Sequence, residues 1–179
     1  MNVALFQLIN GWAGHFGWLD SLMVFCAEYL MYMMILVVLV YAIWNYKLWR
    51  NMVFVAIGSA LVARFGVTTL IRHFYYHARP YWVLENVNLL LARETVSSFP
   101  SGHTIFVFAL ATGMYQYNKK AGRWFYLLAS LVGFSRIFVG VHWPYDIIVG
   151  AVLGILIALV CDRLFRKYKF VVGLKNYSQ

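Results

Sequence analysis

Long apolar runs separated by short polar connections make up most of this chain. Five of them, at about 22–44, 52–71, 104–118, 124–141 and 147–166, are each close to the roughly 20 apolar residues that a helix needs to cross a bilayer. The third is the shortest and draws on the loop residues before it. The opening stretch, about 3–19, is also apolar, but Gln7, Asn10, Gly11, Gly14 and His15 interrupt it. That pattern predicts an amphipathic helix lying in the headgroup layer. A sixth span is the rival reading. The stretch has no basic n-region and no small-residue cleavage site, so it does not read as a cleaved leader. No low-complexity tract, repeat or long linker divides the chain, and one membrane-embedded domain over 1–179 is expected. The predicted fold is an all-α polytopic membrane helix bundle of about five transmembrane helices plus an N-terminal interfacial helix.

Composition and charge sharpen this picture. Hydrophobic residues make up 63% of the chain, and the mean hydropathy of +0.71 is far above that of a soluble domain. The net charge is +9. Ten of the 15 Lys and Arg residues fall in one set of connections: Lys47, Arg50, Lys119, Lys120, Arg123, Arg163, Arg166, Lys167, Lys169 and Lys175. Basic residues favour the cytoplasmic side in short loops, so these mark the cytoplasmic ends. The opposite, extracytoplasmic side carries Arg72, Arg79, Arg93 and Arg136. This asymmetry accounts for the charge, and nucleic-acid binding is not required. Cys26 and Cys161 both fall in apolar runs, where cysteine behaves as a small hydrophobe, and imply neither a disulfide framework nor a metal site.

Three fragments on that outer side carry the chemistry. They are Arg72-x6-Arg79-Pro80, Pro100-Ser101-Gly102-His103 and Ser135-Arg136-x5-His142-x3-Asp146. Phosphoryl transfer needs cations for the equatorial oxygens, a nucleophile and an acid for the leaving group. The arginines taken alone would fit cations snorkelling to lipid headgroups. Pro100–His103 opens an apolar run, and the free N–H groups of a helix start make an anion site. Gly102 permits close backbone approach, and the Ser101 hydroxyl can donate or cap. An ordinary capped helix start is the plainer alternative, but it leaves His103 unexplained. In the third fragment Pro144 suits a first helical turn, which returns Asp146 to the side of His142. A carboxylate there fixes the imidazole tautomer and leaves the other nitrogen free to attack. A His–Asp pair that merely stabilises a loop would leave Arg136 without a purpose.

Together the fragments resemble the signature of the type-2 phosphatidic acid phosphatase family, which includes the vanadium haloperoxidases: Lys-x6-Arg-Pro, Pro-Ser-Gly-His and Ser-Arg-x5-His-x3-Asp. The signature spans 72 to 146, and each of its defined positions matches except the first, where Arg72 stands for lysine. Arginine keeps the charge but adds a planar fork of donors, so its grip on phosphate differs. The resemblance implies that His142 is the nucleophile and forms a phosphohistidine, that Asp146 orients it, and that His103 protonates the leaving oxygen. It implies phosphoryl binding by Arg72, Arg79, Ser101, Gly102 and Arg136. It implies chemistry without a metal or other cofactor, and the sequence offers no obvious carboxylate cluster for one.

Weaker markers, Leu19-Asp20-Ser21, Ala27-Glu28-Tyr29 and Gly133-Phe134-Ser135-Arg136, are similar to the bacitracin-resistance type of undecaprenyl-diphosphate phosphatase. They imply a bacterial plasma-membrane enzyme with its site facing the extracytoplasmic side, a polyprenyl diphosphate substrate and membrane lipids as surroundings. Phosphatidylglycerophosphate or phosphatidic acid phosphatase is the alternative of the same chemistry. A lipid-binding or lipid-flipping protein without catalysis is the alternative of another class. The oligomeric state is left open.

Glu28 and Arg64 lie inside apolar runs, where isolated charges are costly and face protein or water. They are expected either to pair with each other or to line a substrate cavity. Gly150 and Gly154 form a small-xxx-small step that favours close internal packing. His73 and His77 read as interfacial packing residues, with recognition of the leaving group as the alternative. The 81–99 stretch, with Tyr81, Trp82, Glu85, Arg93 and Glu94, reads either as a lid or headgroup-recognition loop or as a solvated connection.

Overall fold

A computed structural model describes residues 2–44, 46–94 and 97–171, with backbone alone for 46–48 and 169–171. Of the basic residues assigned to the cytoplasmic ends, Lys175 lies outside the described residues, as do the side chains of Lys47 and Lys169. Among the described residues every element is a helix. These are α1 (Asn2–Asn10), α2 (Gly17–Glu28), α3 (Leu30–Trp44), α4 (Tyr46–Leu61), a π-helical stretch (Val62–Thr68), α5 (Thr69–Phe74), α6 (Pro80–Val83), α7 (Gly102–Tyr117), α8 (Lys119–Phe138) and α9 (Pro144–Val171).

Helix α7 sits at the centre, packed on α4, α8 and α9. Its sequence is apolar or small on every side, and Thr104–Val107 and Ala109–Met114 are all buried, as expected of a helix without a polar face. Asn118 ends α7 and starts α8 in a single residue, because its extended backbone breaks the helix and its Oδ1 accepts the Ala121 N–H at 3.0 Å. Close approach of α9 to α7 depends on two missing side chains. A Cβ at Gly150 would lie 3.2 Å from the Ser101 carbonyl oxygen, and one at Gly154 would strike the carbonyl oxygen of Ile105. The small-xxx-small step therefore serves internal packing.

Trp49–Phe74 and Pro144–Tyr168 are long and apolar enough to cross a membrane, and α2 with α3 form a third candidate broken by a 51° bend. Leu36, Ile43, Phe54, Leu70, Leu127, Leu156 and Leu164 all point outward, an apolar belt suited to lipid. This helix pair differs from the predicted first span: it starts at Gly17 and bends at Tyr29, with neither proline nor glycine at the break. The bend turns Glu28, Tyr29 and Tyr32 along the wall of a cavity.

Helix α1 is too short to be a candidate span by itself. Helix α1 has nine residues, about 13 Å of rise, less than half of a hydrocarbon core. It lies against α8 and the start of α9, with Phe6 buried on Trp143 at a ring separation of 5.3 Å. Asn10 is buried too. Its Nδ2 donates to the carbonyls of Phe138 (2.7 Å) and Asn88 (2.9 Å), and its Oδ1 accepts the Asn88 N–H at 3.0 Å.

Alanine should have opposite effects at two helical glycines. Gly58 faces open space, so Gly58→Ala should be neutral or stabilising by up to about 1 kcal/mol. Gly154→Ala should destabilise by about 1–3 kcal/mol, because its methyl group meets backbone that cannot yield. Thermal unfolding in detergent checks both, and a gain at Gly154 would contradict the packing described.

Candidate active site

The three fragments meet at one end of the bundle because each lies at a helix end there. Arg72 is in the last turn of α5, Arg79 precedes α6, and Ser101 precedes α7. Arg136 is in the last turn of α8, while Asp146 is in the first turn of α9. Backbone hydrogen bonds join the fragments: Ser98 N–H to the His77 carbonyl at 2.9 Å, and Ser101 N–H to the Asp146 carbonyl at 3.2 Å.

Each motif arginine is anchored on a main-chain carbonyl. Arg72 Nη2 donates to Pro100 (2.9 Å), Arg79 Nη1 to Val141 (3.0 Å) and Arg136 Nη1 to Ala27 (3.5 Å). Donors remain beyond these anchors, since the Nε groups of Arg72 and Arg136 are buried without a hydrogen-bond partner among the described residues. Arg64 joins the cluster. A Cβ at Gly102 would run into its guanidinium and would lie 3.9 Å from Arg72 Nη2, so both cations converge on the first turn of α7. The π-helical stretch between them contributes: widening the turn changes the angular offset of residues 64 and 72, and Thr68 Oγ1 donates to the Ala63 carbonyl at 3.0 Å within it. Four guanidiniums and a helix N-terminus make a strong oxyanion seat.

His142 sits in the loop between α8 and α9 and is 1% exposed. Its Nδ1 lies 3.4 Å from Asp146 Oδ2, which also accepts the Trp143 N–H at 2.9 Å. The carboxylate is thereby fixed by main chain, and the imidazole turns Nε2 away from it. Burial pushes the His142 pKa well below the ordinary histidine value, and Arg136, Arg79, Arg72 and His103 push it further in the same direction. The neutral, nucleophilic form is the one present at neutral pH. His103 is half-buried and lines a cavity of about 330 Å³ with Glu28, Tyr29, Tyr32, Glu94 and Arg136.

The structure revises three expectations. Among the described residues Glu28 and Arg64 form no ion pair: Glu28 lines the cavity, while Arg64 reaches the start of α7. Ser101 occupies the cap position of α7 but makes no capping bond, and its Oγ accepts the Thr104 hydroxyl at 3.1 Å. His77 is no mere packing residue. Its Nδ1 lies 3.0 Å from Ser98 Oγ and 3.5 Å from the buried Oδ1 of Asp146.

Sequence reasoning missed one residue at the centre of the site. Glu94 Oε2 pairs with Arg79 Nη2 at 2.6 Å, and its Oε1 lies 3.5 Å from Arg136 Nη2. A signal was available: the chain has only six Asp and Glu residues, and Glu94 stands among the arginines of the outer side.

Comparison with known proteins finds relatives along most of the chain. The PAP2 superfamily profile matches residues 52–170. "Undecaprenyl-diphosphatase BcrC" of Bacillus subtilis is 34% identical, over 91% of this chain and 83% of its own length. "Bacitracin transport permease protein BcrC" of Bacillus licheniformis is 36% identical, over 96% of this chain and 84% of its own. The crystal structure of LpxE from Aquifex aeolicus superposes with a TM-score of 0.72 at 29% identity, covering 89% of this chain and 93% of that one.

Arg72 offers a direct test of the oxyanion seat. Arg72→Ala should weaken binding of inorganic phosphate by about 10–150-fold, the loss of a charged hydrogen bond. Arg72→Lys should recover most of that loss, because charge matters more here than the fork. Calorimetric titration of the detergent-solubilised protein reads both, and an unchanged affinity in Arg72→Ala would remove Arg72 from the seat.

Proposed function

The chain belongs to the PAP2 superfamily and is a membrane lipid phosphatase, and from that premise we propose that it hydrolyses undecaprenyl diphosphate to undecaprenyl phosphate and inorganic phosphate. The observation that carries this is the buried His142–Asp146 pair set beside Arg72, Arg79 and Arg136 at one end of an apolar bundle. Likeness over most of the chain to relatives named for undecaprenyl diphosphate supports the substrate class.

In the proposed reaction, His142 Nε2 attacks the terminal phosphorus. The bond from phosphorus to the bridging oxygen breaks, and His103 protonates the departing lipid phosphate. Asp146 Oδ2 accepts a hydrogen bond from the Nδ1–H, which stays on the ring, and its negative charge stabilises the cationic phosphohistidine as it forms. Water then attacks that phosphorus as His103 takes its proton, the bond from phosphorus to His142 Nε2 breaks to restore the neutral imidazole, and phosphate leaves. Arg72, Arg79 and Arg136, with the N–H groups at Ser101 and Gly102, hold the equatorial oxygens throughout. Glu28 borders the space the substrate enters, and Arg64 adds a cation at the first turn of α7.

In this reading α7 and α8 also cross the membrane, which makes five spans in a single domain of the bacterial plasma membrane. The site faces the extracytoplasmic side, where the lipid chain stays in the bilayer while the diphosphate meets the arginines. Grouping of Lys119, Lys120, Arg123, Arg163, Arg166 and Lys167 at the opposite end supports that orientation. Regenerating the lipid carrier in this way would also raise tolerance to bacitracin.

His142→Ala should lose essentially all phosphate release from undecaprenyl diphosphate in detergent. Acid-quenched wild type given terminally labelled substrate should yield acid-labile protein-bound label. Activity in His142→Ala within tenfold of wild type, or much faster turnover of phosphatidylglycerophosphate or phosphatidic acid, would overturn the assignment.

The pH profile follows from the His142 environment. A lowered pKa keeps the nucleophile neutral as pH falls, and activity is lost only once pH drops through that lowered value. The acid limb of kcat/KM should therefore lie below 6.5, the ordinary histidine value. A limb above 6.5 would contradict the buried, arginine-flanked setting.

A further inference from the structure

Glu94 stands where a phosphoryl group would have to sit. Its two carboxylate oxygens face Arg79 Nη2 and Arg136 Nη2, at 2.6 and 3.5 Å, and these are two of the three motif cations. A carboxylate and a phosphoryl group present similarly spaced oxygens to a guanidinium, so both compete for the same N–H donors. Neither partner depends on this ion pair to stay in place. Arg79 and Arg136 are also tied to the carbonyls of Val141 and Ala27.

The backbone of Glu94 is held independently of its side chain. Tyr81 Oη accepts the Glu94 N–H at 2.8 Å and donates to the Glu94 carbonyl at 2.9 Å. The preceding residue, Arg93, lies over the Trp82 ring at 5.3 Å. The Glu94 side chain itself is 42% exposed and borders the 330 Å³ cavity beside His103. Rotation about its own bonds is enough to swing the carboxylate off the arginines into that space, with no movement of the loop.

We infer that Glu94 is an exchangeable internal anion: it occupies the oxyanion seat between turnovers, yields to the phosphoryl group of the substrate, and returns as phosphate leaves. This rests on the phosphatase reading given above and adds to it a residue that governs how tightly the seat holds any oxyanion. A competitor of this kind weakens every ligand of the seat by one common factor. It therefore limits inhibition by the phosphate that the reaction releases. It also gives the clustered arginines a counter-charge whenever no substrate is bound.

The test uses the whole protein in detergent, with inorganic phosphate as the probe. In Glu94→Gln the dissociation constant of phosphate should fall at least about fivefold, because the amide keeps the size but loses the charge. The KM for lipid substrate should fall by the same factor. Glu94→Asp, one methylene short of both arginines, should move both values in the same direction and serves if Glu94→Gln does not fold. Unchanged or weaker phosphate binding in a folded variant overturns the inference, since it would make Glu94 a support for the arginines. Unequal shifts in the two constants overturn it as well. Phosphate binding needs no turnover, so a wild type that binds phosphate but releases none from lipid would refute the proposed function alone.

Discussion

Four guanidinium groups of like charge, those of Arg64, Arg72, Arg79 and Arg136, gather at one half-buried end of the bundle, and the rest of the site is arranged around holding them there. Their repulsion is met in two ways. Main-chain carbonyls accept from the motif arginines, and one carboxylate, Glu94, lies between Arg79 and Arg136. The carbonyl anchors also stitch the site together. Arg72 ties its own segment to Pro100, Arg79 ties to the loop that carries His142, and Arg136 ties α8 to α2. The groups suited to hold an oxyanion are thus the same ones that hold the three fragments in register.

Such a cluster needs a rigid frame. That frame is α7, buried on all sides and approached closely by α9 at Gly150 and Gly154. The first turn of α7 and the first turn of α9 are consequently neighbours, joined by the Ser101–Asp146 backbone hydrogen bond. The oxyanion seat at one helix start and the His–Asp pair at the other are fixed by one packing contact. A slip of α9 along α7 would misplace both.

The cavity bordered by Glu28, Glu94, His103 and Arg136 gives the site an opening beside the bent α2–α3 pair. Acidic groups on that wall face cationic groups on the seat. In the proposed reaction an anionic headgroup would enter there, past the carboxylates toward the arginines, with its apolar chain against the outward-facing belt of the bundle.

Much was legible along the chain. Hydropathy alone gives a helical membrane bundle, because a bilayer accepts only segments whose backbone is satisfied internally and whose side chains are apolar for about 20 residues. The spacing of His142 and Asp146 gives their pairing, because a helical turn returns residue i+4 to the side of residue i. Other features could not be read. The 51° bend at Tyr29 has no proline or glycine to announce it, and the π-helical stretch that brings Arg64 toward Arg72 has no sequence signature of its own. Glu28 and Arg64 look like natural partners at similar depth, yet packing turns one to the cavity and the other to Gly102. Glu94 and His77 enter the site from irregular loops, where no periodicity predicts direction. The sequence thus determined which chemical groups are present and which local partners they find within a turn of helix. Only the tertiary structure decided which distant charges meet, because that depends on how closely the helices approach and at what angle.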